Sequence, residues 1–300
     1  MRILITGANG PAGMALGEQL RGSGHEVIGA DMDNAPNEFY DLVEKVPPSN
    51  DPGMIPRLAD LIHQHGVQVL LPTVSDELPA VAAAHEAGQL GCVVMIGAAA
   101  AVDTAHDKWL TVTRLISSGV PVPRSALPSH FASTQQAVDA LGSPFILKPR
   151  VARGGRGVSL IDAADELDLA ELDDSWLLQE FASGEEYAPM VFHAGPDSGT
   201  DFCAVVRKTE LKQGKVGNAV DTVRIDGPEA EEIAALALDT VRALGLEFQA
   251  DLDVRRLADG RAVVLEVNAR FGANSRRAPQ LLELVLQQAQ ALSVQPVGRG

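Results

Sequence analysis

Cysteine is nearly absent from this 300-residue chain: Cys92 and Cys203 are the only two. Cys92 lies in an apolar run and Cys203 in a stretch of strand character, so both read as reduced core residues. Two such thiols exclude a disulfide-built secreted scaffold and a cysteine-based metal knot. Basic charge is short as well. Against 40 Asp and Glu stand 24 Lys and Arg, for a net charge of −16. A surface of that sign repels phosphate backbones and anionic lipid, which excludes nucleic acid and membrane as partners. Long apolar runs are missing too. The longest, G-C-V-V-M-I-G-A-A-A-A-V (91–102), is too short to cross a bilayer. The opening M-R-I-L-I-T-G lacks a signal-peptide layout and reads directly as a strand, so the expectation is a cytoplasmic protein. No internal repeat or low-complexity tract interrupts the chain.

What is present is 46% hydrophobic composition, enough for two or three small lobes with cores of their own. Residues 1–97 alternate strands and helices: R-I-L-I-T (2–6), a helix over 15–21, E-V-I-G-A-D (26–31), V-Q-V-L-L-P-T (67–73) and C-V-V-M-I-G (92–97). That alternation predicts a parallel, Rossmann-like sheet. Gly7, Gly10 and Gly13, followed about twenty residues on by Asp31 or Asp33, advertise a dinucleotide site. The same T-G-A-N-G-P-A-G also resembles the start of an NAD(P)-dependent epimerase or reductase. That chemistry needs Tyr-x-x-x-Lys, and the residues four after Tyr40 and Tyr187 are Glu44 and Val191. The glycines then serve strand–helix packing or a loop that touches a substrate. In S-D-E-L (75–78), Glu77 is a substrate-side candidate, and a capped helix start is the alternative.

Three later segments carry chemistry. P-F-I-L-K-P-R (144–150) is an apolar strand with Lys148 on it, followed at once by V-A-R-G-G-R-G-V (151–158). A lysine beside a glycine loop can hold phosphates, because backbone N–H groups approach closely where no Cβ intervenes. It is not a Walker A loop, since no G-K-[ST] follows. Alone, such a loop is as readily a turn. W-L-L-Q-E-F-A (176–182) runs into S-G-E-E-Y (183–187), a strand and turn that can serve as an interlobe hinge. Its backbone can read an adenine edge, and Glu186 can accept from ribose hydroxyls.

The third segment is the most specific. A-D-L-D-V (250–254) and R-A-V-V-L-E-V-N (261–268) read as strands joined by a turn at A-D-G (258–260). Glu266 and Asn268 are two apart and share a face, and the hairpin returns Asp253 beside them. Two carboxylates and an amide carbonyl suit Mg²⁺, which takes oxygen ligands and shares substrate phosphates. A solvated strand face is the alternative. The flanking apolar residues argue for burial instead, and buried carboxylates need partners.

With these segments in this order, the chain resembles the ATP-grasp superfamily, in the branch of the carbamoyl-phosphate synthetase large subunit. The resemblance runs over essentially the whole chain. It rests on D-K (107–108), S-G-V-P-V-P (118–123), P-F-I-L-K-P-R, R-G-G-R-G-V, Q-E-F-A-S-G-E-E-Y and L-E-V-N-A-R-F-G (265–272). It implies an α/β ATP-grasp fold: an N-terminal Rossmann-like parallel-sheet domain (1–97), a linker helix (98–123), a small α+β lid (124–182) and a C-terminal α+β lobe (183–300). It implies ATP as cofactor with Mg²⁺, Mn²⁺ being an acceptable substitute. Lys108, Lys148, Gly154, Gly155 and Gly157 would contact phosphates. Glu180, Phe181 and Ala182 would meet adenine, and Glu186 ribose. Asp253, Glu266 and Asn268 would coordinate the metal. Arg270 would contact the transferred phosphate or acyl phosphate. A further phosphate lysine is expected after F-C-A-V-V-R-K (202–208), with Lys215 ahead of Lys212. The implied reaction activates a small carboxylate as an acyl phosphate for attack by an amine. It gives an amide, ADP and phosphate, in an amino-acid or peptide ligase rather than a complete carbamoyl-phosphate synthetase. A non-catalytic ATP-binding module is the rival, and a homodimer is left open. Elsewhere His106 reads as a solvated helix start and 164–174 as a charge-rich solvated helix or turn. Residues 229–245 read as an amphipathic helix, and Arg276 or Arg277 as a carboxylate contact or an exposed helix start.

Overall fold

A computed structural model describes residues 1–162, 167–196, 198–211 and 219–294. Three sheets organise it. The first is parallel, in the order β3-β2-β1-β4-β5. Its strands are β1 (Arg2–Thr6), β2 (Glu26–Asp31), β3 (Leu42–Lys45), β4 (Val69–Leu71) and β5 (Val93–Val94). Apolar runs buried on both faces are what a parallel sheet covered by helices requires. Helices α1 (Pro11–Leu20), α2 (Met54–His65) and α3 (Leu78–Glu86) provide that cover.

Of the glycines after β1, Gly13 serves strand–helix packing. A Cβ at Gly13 would stand 2.2 Å from the Gly7 carbonyl oxygen, so only glycine lets α1 start that close to the strand. Tyr40 Oη donates to the Gly13 carbonyl at 2.5 Å, and Asn9 N–H donates to Asp31 at 2.9 Å. The acidic residue at the end of β2 is thus engaged by the loop itself.

Where a single linker helix was expected, there are two: α4 (Ala99–His106) and α5 (Lys108–Ser117). Asp107 breaks them apart. Its carboxylate accepts from the N–H groups of Trp109 and Leu110, capping α5. His106 therefore ends a helix instead of starting one. It is half-buried, and burial lowers its pKa.

The lid region builds a four-stranded antiparallel sheet in the order β6-β9-β7-β8. It comprises β6 (Ser125–Ala126), α6 (Thr134–Leu141), β7 (Phe145–Pro149), β8 (Ser159–Ile161) and β9 (Trp176–Glu180). Of the acidic stretch 164–174, the described part forms a short 3-10 turn (Leu169–Glu171).

The last sheet is antiparallel, in the order β12-β11-β10-β13-β14. Its members are β10 (Glu186–His193), β11 (Asp201–Leu211), β12 (Ala219–Ile225), β13 (Phe248–Arg256) and β14 (Ala262–Asn268). Helix α7 (Pro228–Leu244), stopped by left-handed Gly245, covers one face with Ile233, Ala237, Val241 and Leu244. Helix α8 (Pro279–Val294) packs Leu281, Leu282 and Val285 against the other face. Both apolar clusters continue into the parallel sheet: Leu4 and Leu70 belong with the α7 side, Ile3 and Ile5 with the α8 side. Among the described residues, no helix is long and apolar enough to cross a membrane.

Candidate active site

The antiparallel sheet is the floor of a cavity of about 700 Å³. Register places its polar residues. Glu186 lies opposite Arg255, Asp253 opposite Glu266, and Asp251 opposite Asn268. Directly opposite residues share a face, so the row points into the cavity together. The turn closing the β13–β14 hairpin has Gly260 at φ 87, where glycine is at home.

Lysines balance this row. Lys208, near the end of β11, donates to Glu186 Oε1 at 2.5 Å and to Asp253 Oδ1 at 2.6 Å. Burial works against its charge, but the two carboxylates outweigh that and hold it above the usual lysine range. Lys108 opens α5. Its ammonium donates to the Ala152 carbonyl at 2.8 Å and stands 3.7 Å from Glu266. Lys148, on β7, is 6% exposed and donates to Gln179 Oε1 at 2.8 Å. Burial, reinforced by Lys108, pushes its ammonium down to about 8, against the pull of Glu266 and Asp253.

The glycine-rich loop hangs over the floor. Gly154 and Gly155 adopt φ 64 and 71 and line the cavity. Gly157 does not line it. A Cβ there would come within 2.8 Å of Pro149 Cγ, so this glycine serves packing. Between the lining glycines and the strand, Arg153 reaches across to Asp76 as an ion pair at 2.6 Å.

Glu180, Phe181 and Ala182 line the opposite end. The Glu180 carboxylate is committed to Arg124 at 3.0 Å. The Arg255 guanidinium lies 5.2 Å from the Phe181 ring centroid and 3.6 Å from Glu186.

The remaining wall comes from the parallel sheet: Gly7, Gly10, Pro11, Ala12 and Thr73–Ser75. This is the C-terminal edge of the strands, where open α/β sheets take ligands. Arg270 sits at the junction. Its Nε donates to Ser75 Oγ at 3.1 Å, and Nη1 donates to the Phe271 carbonyl at 2.9 Å. Ser75 Oγ in turn donates to Asn268 Oδ1 at 3.1 Å. Beside Arg270, burial pushes the Asp251 carboxyl up to about 6, with Arg270 opposing the shift.

Twelve of the residues read from sequence meet in this cavity: Lys108, Lys148, Gly154, Gly155, Glu180, Phe181, Ala182, Glu186, Asp253, Glu266, Asn268 and Arg270. Lys212 and Lys215 lie outside the described residues. Glu77 is buried away from the cavity, hydrogen-bonded to Thr6 Oγ1 and Val74 N–H, and burial raises it to about 7. Its place on the wall is taken by Ser75, two residues earlier. Arg276 and Arg277 pair with Glu18 at 3.7 Å and Asp221 at 3.9 Å and are not among the cavity's lining residues. Both cysteines are unpaired and half-buried, their thiols pushed up to about 12 by burial.

Sequence reasoning missed Lys208, Arg255, Asp251, Ser75 and Arg153. Two of them were signalled. Asp251 stands two before Asp253 on one strand and so shares its face. Lys208 closes the strand after which a lysine was sought.

Among the described residues, no group of three or more His, Cys, Asp or Glu is placed to hold a metal alone. Asp253, Glu266 and the Asn268 carbonyl make a hard oxygen set too small for a cage, which fits a cation that shares phosphate oxygens.

Comparison with known proteins agrees with this architecture. The chain is 29% identical over 188 residues to a D-alanine–D-alanine ligase of Azoarcus sp. (strain BH72), covering 56% of the chain and 58% of that protein. It is 30% identical over 201 residues to a probable alpha-L-glutamate ligase of Histophilus somni (strain 2336), covering 61% of the chain and 62% of that protein. A carbamoyl phosphate synthase large chain of Clavibacter michiganensis is 24% identical over 242 residues, 74% of the chain but 22% of that protein. Among solved structures, an L-amino acid ligase from Bacillus licheniformis superposes with a TM-score of 0.71 at 19% identity. That likeness covers 96% of the chain and 73% of the ligase, and it speaks for the fold. The chain thus spans about three fifths of the length of the first two ligases. The sequence model of the ATP-grasp domain matches residues 105–274, more than half of the chain, and the chain belongs to the ATP-grasp family.

Proposed function

We propose that this protein is an ATP-dependent carboxylate–amine ligase that releases ADP and phosphate. One observation carries the reading. Three buried lysines from different segments and two register-matched carboxylates converge in one cavity, which continues to a polar wall beside Arg270. Among the described lining residues there is no Cys or His, so the protein offers positioning and charge instead of a covalent nucleophile.

In this reading Glu180, Phe181 and Ala182 seat the adenine, and Glu186 with Arg255 receives the ribose. Lys108 and Lys148 meet the phosphates from two sides. Asp253, Glu266 and Asn268 would hold Mg²⁺, or Mn²⁺ in its place. The cation would supply charge neutralisation on the phosphates. Lys208 keeps Asp253 and Glu186 in position beforehand. Residues 124–182 act as a closing lobe, and its glycine loop shields the phosphates from water.

The chemistry balances without a protein nucleophile. A substrate carboxylate oxygen attacks the γ-phosphorus, and the bond from phosphorus to the ADP oxygen breaks. Arg270, held by Ser75, is placed to stabilise the transferred phosphoryl oxygens. An amine then attacks the acyl carbon, phosphate leaves, and the amine's proton passes to solvent or phosphate. The substrates are thus a small carboxylate and an amine, and we assign the activity to the cytoplasm.

The test is isotopic. With MgATP, an accepted acid and hydroxylamine, hydroxamate and ADP should form in equal amounts. Oxygen-18 in the carboxylate should appear in released phosphate. AMP and pyrophosphate as products, or unlabelled phosphate, would refute the acyl phosphate.

A further inference from the structure

On the ligase reading, we propose that Asp251 recognises a primary ammonium group on a substrate, which makes one of the two substrates an amino compound bound as its cation. Charge on the floor is shared unevenly. Asp253 has Lys208 at 2.6 Å, Glu266 has Lys108 at 3.7 Å, and Glu186 has both Lys208 and Arg255. Asp251 has one ion pair among the described residues, to Arg270 Nη1 at 3.4 Å. That nitrogen is already engaged with the Phe271 carbonyl at 2.9 Å. Asp251 Oδ1 is buried with no hydrogen-bond partner among the described residues.

The carboxylate is also fixed in place. A Cβ at Gly272 would come within 2.3 Å of Oδ2 and 2.6 Å of Oδ1. The chain thus gives up a side chain at 272 to seat this acid against the cavity wall, on the side away from the hinge. A phosphoryl group beside Arg270 would compete for that guanidinium, and Asp251 then stays ionised in its poorly solvated place only if another cation faces it. A buried charge without one strongly disfavours the complex unless the ligand supplies the opposite sign. A primary ammonium does so compactly, with three donors for two carboxylate oxygens. Arg270 and Asp251 together then present opposite charges side by side, which matches a molecule bearing both carboxylate and ammonium.

The ammonium can belong to the acid that is activated or to the incoming amine, and the experiment separates these. Hydroxylamine replaces the amine while the twenty L-amino acids are compared with their des-amino acids, such as L-alanine with propionate. The native protein should favour amino acids. In Asp251→Asn their KM should rise on the order of 10²-fold, the loss of a charge-assisted hydrogen bond. KM for the des-amino acid and the calorimetric affinity for MgATP should stay within twofold. If the loss appears only when hydroxylamine is replaced by an amine, the ammonium is the nucleophile's. Asp251→Ser serves the same comparison should the asparagine variant fold poorly. Equal losses for amino and des-amino acids in both arms would overturn the assignment, as would a change confined to the Mg²⁺ requirement. Hydroxamate from no acid at all would overturn the ligase reading and this assignment with it.

Discussion

The lid and the floor line the same cavity but are built on opposite plans. The floor sheet is clamped between two apolar clusters, and both run on into the parallel sheet. The lid packs on a small core of its own: Ala137, Leu141, Phe145, Leu147, Ile161 and Leu178. Beyond the corner at Asp107, its ties to the rest are polar, such as Arg153 to Asp76 at 2.6 Å. Shared apolar burial makes two lobes one cooperative unit, whereas a partly exposed ion pair opens more cheaply. On the proposed function, the metal and substrate contacts would sit on the more firmly packed lobe, and the glycine loop on the lobe with the smaller core.

The comparison breaks most sharply under core truncation. Leu252→Ala, in the floor, should lower global stability by about 2–5 kcal/mol in urea titration. Leu147→Ala, in the lid, should leave that main transition near its native midpoint. It should instead speed hydrogen exchange over residues 145–161, and MgATP should slow exchange at residues 154–157 in the native protein. Equal shifts of one global transition would mean that the lid is not a separate unit.

The next test concerns chemistry on the floor. Glu266→Gln should keep the fold and lose turnover on the order of 10²-fold at saturating Mg²⁺. Near-native turnover would take Glu266 out of the site.

A smaller and more selective effect belongs to the lid lysine. Lys148→Ala should weaken ATP binding on the order of tenfold or more, as expected for a lost charge-assisted contact. Adenosine affinity should hold. Glu186→Ala, on the floor, should weaken both ligands, and calorimetry reads the difference. An equal loss for adenosine in the lysine variant would separate Lys148 from the phosphates.

The smallest effect is a pH slope. The buried Lys148 ammonium titrates near 8, below the ordinary 10.5 of the unfolded chain. Between those values the unfolded chain binds more protons, so this lysine makes stability rise with pH through that window. The melting temperature of nucleotide-free protein from pH 8 to 10 should therefore climb relative to Lys148→Met. Parallel curves for the two proteins would contradict the burial of that charge.

How much of this was legible depended on whether local pattern or long-range contact decided the outcome. The β13–β14 hairpin was readable because period-two alternation fixes which residues share a face, and a glycine turn fixes which residues oppose. The ATP-grasp family was legible by resemblance, because its motifs stand in the chain in the same order. The break at Asp107 was written in D-K, yet the helical pattern on both sides hid it. Lys208 escaped because a lysine-rich loop beyond the strand drew the expectation onward. Its importance comes from Glu186 and Asp253, which are 22 and 45 residues distant in sequence. Ser75 and Arg153 matter through partners on other lobes, and periodicity carries no trace of that. Glu77 drew attention by charge, and tertiary packing used it to tie β1 to the loop after β4.

One corner of the molecule has a metric consequence. Lys108 N–H donates to the Arg150 carbonyl at 3.1 Å, while Asp107 grips the Arg150 guanidinium. Lys108 and Lys148 come from different lobes, yet both stand within two residues of this bracket. They therefore share an origin, like the fixed jaws of a calliper, while the glycine loop travels. On the proposed function, lid motion would change how wet the phosphates are without changing the span between these two lysines. A Lys108–Lys148 separation that differed between open and closed forms is the one thing the bracket forbids.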